Sequence, residues 1–299
     1  MGHSRSVKNW KLELITLYCT VCQAYNTRLA ASAQRLSNNF CPQFTDEECI
    51  AVYLWGIMKQ KFNVKAVYEY TKDHLSDWFP KIPSYQEFNR RINFLSEALR
   101  EFAEMLMDIL PTDSQISSHL LDSMPIVVTK GTRKGNVAQE VCNKTYCSSQ
   151  NMWYYGVKLH VLGQKQHEAL PLPILMHITP AAENDLTVAK HFLPRFEGLE
   201  IFADKIYQSH EWQSLLEQNN KICITSPVKL KHGQKVLDSA DKLFSETVSR
   251  ARQAIESFFS WIQEKTNIQR ASKVRSLNGL LSFIYARLAV VCILLAARF

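Results

Sequence analysis

The first third of the chain carries apolar residues at the spacing of helices. Thr45 and Ser84 are each followed three residues later by a glutamate, which is the capping-box pattern of a helix N-terminus. After Ser84, apolar residues recur every three or four positions as far as Ile109, and Pro111 then ends the pattern. The pattern predicts a helical N-terminal region over residues 1–110, and its last helix is predicted as one long element.

Beyond this point the apolar pattern takes the two-residue period of β-strands. Residues 153–161 alternate strictly, as in a strand with two different faces. Further strands are predicted at 116–122, with β character extending over 125–129, and at 170–179, 199–203 and 221–226. A polar loop is predicted at 130–150, and helices at about 184–193, from Ser209 and at 244–266. This order predicts an α/β domain over residues 111–299, with a mixed sheet flanked by helices.

The last segment is apolar enough to raise the question of a membrane. From Phe283 to the end it has 17 residues and includes Arg287. A spanning helix needs about 20 apolar residues, and a charge within it is costly. We therefore expect a buried core helix, with a membrane anchor as the alternative.

The N-terminus and the cysteines bear on the compartment. No apolar signal segment opens the chain, and its eight cysteines are irregularly spaced. These features predict a cytoplasmic protein with reduced thiols. Cys19 and Cys22 could join Cys41 and Cys49 as zinc ligands. However, the first two also fit the apolar face of a helix, and we prefer that interpretation.

Charge is unevenly distributed along the 299 residues. The whole chain has 35 lysines and arginines against 28 aspartates and glutamates, a net charge of +7. Residues 221–299 contain 13 of these basic residues and five of the acidic ones, a balance of +8, so the remainder is close to neutral. A localised basic segment favours a polyanionic partner, with nucleic acid first and a membrane surface second.

Three carboxylates occupy positions from which they could form a site. Asp122 ends the strand predicted at 116–122, Asp204 directly follows the strand predicted at 199–203, and ligand sites in open α/β sheets lie beyond such strand ends. Glu256 flanks the apolar stripe of the helix at 244–266, with Arg252 one turn earlier. Taken singly, the aspartates could be turn or helix caps, and Glu256 could form a surface pair with Arg252. Taken together, the three acids could hold hard divalent cations, which prefer oxygen ligands and support displacement at phosphorus.

The sequence around these acids resembles a known family. The strings LLDSMPI, IFADKIYQS and SRARQAIESFFSWIQEKTNI are similar to the three catalytic blocks of DDE transposases from bacterial insertion sequences. MWYYGVKLHVL and ITPAAENDL are similar as well, and so are TDEECIAVYLWGI and FPKIPSYQEFNRRINFL in the helical region. The resemblance covers the chain from about residue 10 to its end and is nearest to insertion-sequence family nine-eight-two.

The resemblance implies an RNase H-like catalytic core and a reaction on DNA. Asp122, Asp204 and Glu256 would be the catalytic triad and would hold two divalent ions, usually Mg²⁺, for which Mn²⁺ can substitute. The family cleaves the ends of its element with activated water, and the freed 3′-OH then attacks target DNA. The implied partners are double-stranded DNA with terminal inverted repeats, target DNA and at least one further copy of the chain, in the cytoplasm of a bacterium and at its nucleoid. No membrane is implied.

One part of the family signature departs from the expected pattern. The broader class carries Y-x2-R-x3-E-x6-K, and Arg252 and Glu256 match its R and E. Ser249 stands at the Tyr position and Gln263 at the Lys position, with Lys265 two residues further on. The departures keep two alternatives open: a catalytically decayed or repurposed DNA-binding protein, and a nuclease that cuts without joining.

Seven basic or aromatic-nitrogen side chains are candidates for DNA contacts. They are Arg252, Lys158, His160, Lys265, Arg270, Lys273 and Arg275. For Lys158 and His160, a solvent-facing strand alternation is the simpler interpretation. Asp185 could be an auxiliary acid, although a helix N-cap is the simpler role for it. The helical region 1–110 is expected to help recognise the terminal repeats, with a structural cap as the alternative.

Overall fold

The computed structural model describes residues 9–34, 42–113, 115–132, 135–148, 150–230, 234 and 236–297. They form two compact units. The first comprises the described part of Met1–Leu106 with Lys265–Asn267 and Lys273–Ala297, and the second comprises the described part of Met107–Glu264 with Ile268–Ser272. The predicted boundary at residue 110 lies near this division, but the C-terminal segment belongs to the helical unit.

The helices and strands have the following bounds. The helices are α1 (Trp10–Ala24), α2 (Asp46–Met58), α3 (Val64–His74), α4 (Tyr85–Phe94), α5 (Ser96–Asp108), α6 (Asp185–Phe192), α7 (His210–Asn220), α8 (Ser239–Thr266) and α9 (Leu277–Ala296). The strands are β1 (Ser118–Lys130), β2 (Asn143–Cys147), β3 (Met152–Gln164), β4 (Leu172–Pro180), β5 (Glu200–Ala203) and β6 (Cys223–Thr225).

Local side-chain bonds explain where the helices of the first unit begin. Thr45 caps α2 with a complete capping box, because its side chain accepts from the Glu48 N–H and Glu48 accepts from the Thr45 N–H. Ser84 caps α4 in the first of these two ways. The single long helix predicted after Ser84 is wrong: α4 ends at Leu95, whose ψ of 16° leaves the helical range, and α5 starts anew. The apolar seam continues across the break, so periodicity alone could not reveal it.

Helix α9 is the core helix expected at the end of the chain. It packs against α2 and α4. Its Arg287 is fully buried and donates to the backbone oxygens of Thr266, Phe283 and Phe62 at 2.9, 2.9 and 2.6 Å. By length and composition, α9 is the one helix among the described residues that could cross a membrane, with a mean hydropathy of 2.2, although 67% of that window is buried within the protein.

The second unit is built on a six-stranded mixed sheet. Its order is β2-β3-β1-β5-β6, and β4 pairs with the same edge of β3 as β2, further along that strand. β3 is antiparallel to its three neighbours, whereas β1, β5 and β6 run parallel. Buried residues of α6 and α7 join β5 in a hydrophobic core. This arrangement confirms the predicted α/β fold, with a mixed sheet, flanking helices and a helical N-terminal region.

Strand β1 continues through Pro125 and so joins the strand predicted at 116–122 to the β character predicted at 125–129. The Val127 N–H and C=O bond to Gln269 and Ala271 on the edge away from β3. Backbone groups alternate along a strand, so Pro125 faces this same edge. There β5 pairs only with residues 118–121, so no neighbouring strand needs the N–H that proline lacks.

Two other boundaries differ from the predictions. The region predicted as a polar loop at 130–150 contains β2, an edge strand whose polar residues hide its β character. Helix α8 starts at Ser239, five residues before its predicted start. In both places a helix or strand is formed by polar, partly exposed residues. A prediction from the spacing of apolar residues does not detect such segments.

Candidate active site

Two aspartates lie on neighbouring parallel strands at the middle of the sheet. Leu121 on β1 is the last residue paired with β5, and its partner Ala203 is the last residue of β5. Asp122 and Asp204 each follow one residue later. The strand register therefore brings together two acids that are 82 positions apart in the sequence. Asp122 lies within the long strand β1 and not at its end, because β1 continues after β5 stops.

A single guanidinium bridges the two carboxylates. Arg252, on α8, donates from Nη2 to Asp122 Oδ2 at 3.1 Å and from Nη1 to Asp204 Oδ1 at 3.4 Å. The Arg252 side chain is 11% exposed, that of Asp122 21% and that of Asp204 49%. The site is thus half open to solvent on the Asp204 side, and a cation already lies between the two acids.

The pKa of Asp122 is raised by burial and lowered by the nearby Arg252 guanidinium. Burial raises the pKa of Asp122 to about 6, while Arg252 and the Ser123 N–H, which donates to Oδ1 at 2.8 Å, favour the charged carboxylate. Asp204 also raises this pKa, because a second negative charge opposes ionisation. The Arg252 guanidinium therefore offsets part of the effect of burial on Asp122.

A second layer of polar groups lies beside Asp122. Asp185 accepts from Lys158 Nζ at 2.6 Å and from Ser123 Oγ at 3.0 Å. The predicted cap role of Asp185 is filled by its neighbour Asn184, whose side chain accepts from the first N–H groups of α6. Among the described residues, the buried Tyr207 hydroxyl has no partner, and burial together with the charges of Asp185, Asp122 and Asp204 raises its pKa well above the ordinary value.

The predicted solvent-facing side of β3 is buried instead. His160 is fully buried, and its Nε2 contacts Thr179 Oγ1 at 2.9 Å. Lys158 is 18% exposed and is held by Asp185 and the Glu183 carbonyl. The solvent-facing interpretation is wrong, because His160 is buried beside Thr179 of β4 and Lys158 bonds to groups at and just before the start of α6. In this arrangement His160 has no surface to offer to DNA.

Glu256 lies one helical turn beyond Arg252 on α8 and is exposed. It lines a shallow depression with Gln253, Ser260 and Glu264, and not the groove beside Asp204. Among the described residues, no group of three or more His, Cys, Asp or Glu side chains is arranged to hold a metal ion. The structure thus brings Asp122 and Asp204 together, and Glu256 lines a different depression on α8.

The sequence interpretation did not single out Glu246, a further acid on α8. It lines an open groove together with Asp204, Lys242, Ser249 and Arg252. Its position ten residues before Glu256 falls outside the family signature, so only the fold could indicate it. The groove makes Glu246 the acid to test against Glu256.

The remaining basic candidates fall in both units. Arg270 is exposed in the second unit, next to the bridge between its backbone and Val127. Lys265, Lys273 and Arg275 belong to the first unit, and the last two line a small polar depression near the start of α9. Of the residues raised above for charge or zinc binding, Cys41 lies outside the described part of the chain.

The two positions that depart from the family signature have local bonds. Ser249 Oγ donates to the Ser245 carbonyl within α8 at 2.8 Å. Gln263 accepts from the Gln269 N–H at 2.9 Å through its side-chain oxygen, which ties the chain after α8 back to the helix. Gln263 therefore has a structural role at the place where the signature has a lysine.

The fold and the paired acids define a class of protein. Ligand sites in open α/β sheets lie beyond the ends of parallel strands, and paired carboxylates there are typical of proteins that bind divalent metal ions. A family model described as a transposase DDE domain matches residues 115–293. The chain therefore belongs to the DDE transposase family. A search of curated proteins and a search of solved structures each gave no significant match.

Proposed function

We propose that this protein is the transposase of a bacterial insertion sequence, most similar to family nine-eight-two. In this proposal it cleaves DNA hydrolytically at the ends of its element and joins the freed 3′-OH to target DNA. The observation that carries the proposal is the acid pair. Asp122 lies within β1 and Asp204 directly follows the parallel neighbour β5, each one residue after the last β1–β5 pair, and both bond to one guanidinium.

The donor set suits the hard divalent ions that the family uses. Asp122 and Asp204 offer carboxylate oxygens, which Mg²⁺ and Mn²⁺ prefer, and the Arg252 guanidinium between them acts as a stand-in for a cation. Two such ions, when bound, stabilise the attacking and leaving oxygens at phosphorus. Glu256 is the proposed third ligand because it follows Arg252 by four residues, which is one turn of α8.

The chain's own residues have separable tasks in this proposal. Asp122 and Asp204 hold the cations at the sheet, and Ser123 orients Asp122 through its N–H. The proposed DNA contacts are Arg252 once a cation has replaced it between the acids, and the basic residues at 265–275. The first unit is proposed to recognise the terminal repeats, and two or more copies would bring the ends together at the nucleoid.

The test uses the full chain and a duplex that carries the inverted repeats flanking the coding sequence. Asp122→Asn, Asp204→Asn and Glu256→Gln should each abolish Mg²⁺-dependent cleavage while the affinity for the duplex is retained. Glu246→Gln separates the two candidates for the third acid, and Glu264→Gln on the same helix is the matched control. If Glu246→Gln abolished cleavage and Glu256→Gln did not, the third position would belong to Glu246. Wild-type rates in either aspartate variant would refute the acid pair.

The second candidate is a DNA-binding protein without catalysis. It is favoured by Gln263, which has a structural bond where the family has a signature lysine. This candidate predicts salt-sensitive DNA binding and no strand cleavage with Mg²⁺ or Mn²⁺. A third possibility, a nuclease that cuts without joining, is separated by supplying precut ends with a free 3′-OH: joining excludes the nuclease, and its absence favours it.

A further inference from the structure

The β2–β3 hairpin carries an aromatic surface far from the acid pair. The geometry points to a stacking platform for unpaired nucleotides, formed by Lys144, Tyr146, Trp153 and Tyr155, which would bind single-stranded DNA. The inference does not depend on cleavage at Asp122 and Asp204, so it can stand or fail independently of the proposed function.

Strand register places these four side chains on one face of the hairpin. Tyr146 lies directly opposite Trp153, and Lys144 lies opposite Tyr155. Residues two apart on a strand share a face, as do directly paired residues. The other face carries Tyr154, which is buried in the unit. The hairpin thus has a packed inner face and an aromatic outer face.

Contacts within the outer face hold its rings in place. The Tyr146 and Trp153 ring centroids are 5.4 Å apart with planes inclined by 57°. The Tyr146 hydroxyl donates to the Asn151 side chain. The Lys144 amine lies 5.4 Å from the Trp153 ring centroid and 5.9 Å from that of Tyr155. A ligand would therefore meet rings that are already ordered, which lowers the entropic cost of binding.

Packing does not explain the exposure of these rings. Trp153 is 55% exposed and Tyr146 is 46% exposed. Both rings lie on an edge strand or its direct neighbour, where the described chain adds no further layer. Large aromatic side chains gain substantially from burial, so their exposure on an ordered strand indicates a partner that covers them.

The charge around the rings selects the partner. Among the described residues of these strands, Lys144 pairs with Tyr155 and Lys130 pairs with Tyr154 on β3. Lys144 stands between aromatic rings, so a base can stack on a ring while a neighbouring phosphate meets an amine. This alternation of aromatic and basic groups is how proteins bind single strands without reading the sequence. An uncharged protein partner would gain nothing from the basic residues.

The platform is separate from the acid pair. Val161 lies opposite Asp122, and Trp153 is eight residues earlier on β3. At about 3.3 Å per residue the separation along the strand is roughly 26 Å. The platform would therefore contact a DNA segment with unpaired bases. This segment would lie some distance from the phosphodiester bond that is proposed to be cleaved at Asp122 and Asp204.

The experiment measures binding of a fluorescently labelled oligothymidine and of a duplex of equal length by anisotropy, using the full chain. Trp153→Leu should weaken binding to the single strand by about 10-fold or more, since stacking on one ring is worth roughly 1–3 kcal/mol per base. Trp153→Phe should retain most of the affinity, and Lys144→Gln should weaken it and flatten its salt dependence. Leu215→Ala, at an exposed apolar residue of α7, is the matched control.

The outcomes separate the platform from its alternatives. If Trp153→Leu unfolds the hairpin, the comparison of Trp153→Phe with Lys144→Gln decides, because both keep the strand pairing. Unchanged single-strand affinity in Lys144→Gln and Trp153→Leu would overturn the inference. So would a change in the sedimentation mass of Trp153→Leu without a change in DNA affinity, because the face would then join two copies of the chain. Loss of single-strand binding in a variant that still cleaves element ends would support it.

Discussion

Arg252 lies between Asp122 and Asp204 and bonds to both carboxylates. Two neighbouring carboxylates repel each other, and the charge of Asp204 raises the pKa of Asp122. The guanidinium offsets that repulsion by bonding to both. Its Nε is buried and has no partner among the described residues, so the acids are the main stabilising contact of this charge. A divalent ion must displace the guanidinium to reach the same oxygens.

Removal of Arg252 should therefore ease metal binding. Arg252→Gln is expected to bind Mn²⁺ on the order of 10-fold more tightly, because no resident cation has to be displaced. Its melting temperature should also rise more on addition of Mn²⁺. Electron paramagnetic resonance titration of free Mn²⁺ measures the first effect and calorimetry the second.

Arg250→Gln is the control for this comparison, since Arg250 is exposed two residues earlier on α8. It should leave both quantities unchanged. Equal or weaker Mn²⁺ affinity in Arg252→Gln would mean that the guanidinium does not occupy the cation position. No binding in any form, wild type included, would instead refute the metal site itself.

His160 should make stability depend on pH. Burial lowers its pKa to about 4, with Lys158 and His177 acting in the same direction and Asp185 opposing them. An unfolded histidine titrates near pH 6.5, so the unfolded chain takes up its proton first as the pH falls. The contribution of neutral His160 to the free energy of unfolding is therefore full above about pH 6.5. It falls by roughly 3 kcal/mol as the pH decreases from about 6.5 to about 4.

Urea unfolding at several pH values tests this expectation. His160→Gln should reduce the loss between pH 6.5 and 4, because glutamine is polar but does not titrate. His191→Gln, at an exposed position of α6, should leave the profile as in the wild type. Identical profiles for His160→Gln and wild type would contradict the assignment.

Asp122 and Asp204 could be predicted from the sequence as site residues. The bridge that Arg252 forms between them could not. An acid that follows an apolar strand is visible in the pattern, and Asp122 and Asp204 both satisfy that rule. The bond from Arg252 to Asp122 spans 130 residues, and no local period encodes it. The ion pair between Lys158 and Asp185 is likewise not encoded by a local pattern, because it depends on how β3 and α6 are placed in the fold.

At the scale of elements, two N-cap residues differ in whether their side chains make a capping hydrogen bond. Thr45→Ala should destabilise the protein by about 1 kcal/mol, because it removes the bond to the Glu48 N–H. Ser209 is also at an N-cap, that of α7, but within the described chain it makes no side-chain capping bond. Ser209→Ala should therefore change the unfolding free energy by much less. Equal losses in the two variants, measured by urea unfolding, would show that the capping bond is not the cause.

Elements with strong apolar periodicity were predictable, and those with exposed polar faces were not. β3, β4 and α9 follow from their patterns. β2 has only five residues and lies at the sheet edge, and none of its positions is fully buried, so it needs no apolar pattern. The break between α4 and α5 depends on the backbone of Leu95, whose side chain continues the seam.

At the scale of the whole molecule, α9 limits how the chain can be divided. It belongs to the helical unit although it follows the catalytic segment in sequence. A fragment of residues 111–299 would expose the apolar face that packs against α2 and α4. It would also leave Arg287 without the Phe62 carbonyl, and an unsatisfied buried charge is strongly destabilising.

We therefore expect the 111–299 fragment to aggregate, with strong binding of an apolar dye, whereas the full chain remains soluble. Size-exclusion chromatography of the two proteins at equal concentration measures the difference. Arg287→Ala in the full chain is the matched point variant and should lower stability for the same reason. A monodisperse, folded fragment would show that α9 does not need the helical unit. If the fragment aggregates, loss of end recognition in it is no evidence for the role of residues 1–110.

The register at Leu121 and Ala203 has a consequence for how the gene can change in length. One residue inserted or deleted within β5 would turn Asp204 to the opposite face of the sheet, because side chains alternate along a strand. The loops that connect the strands carry no such constraint. Length variation among working copies should therefore concentrate between strands and be absent from the few residues before each aspartate, so the spacing is protected by geometry even where the residues themselves vary.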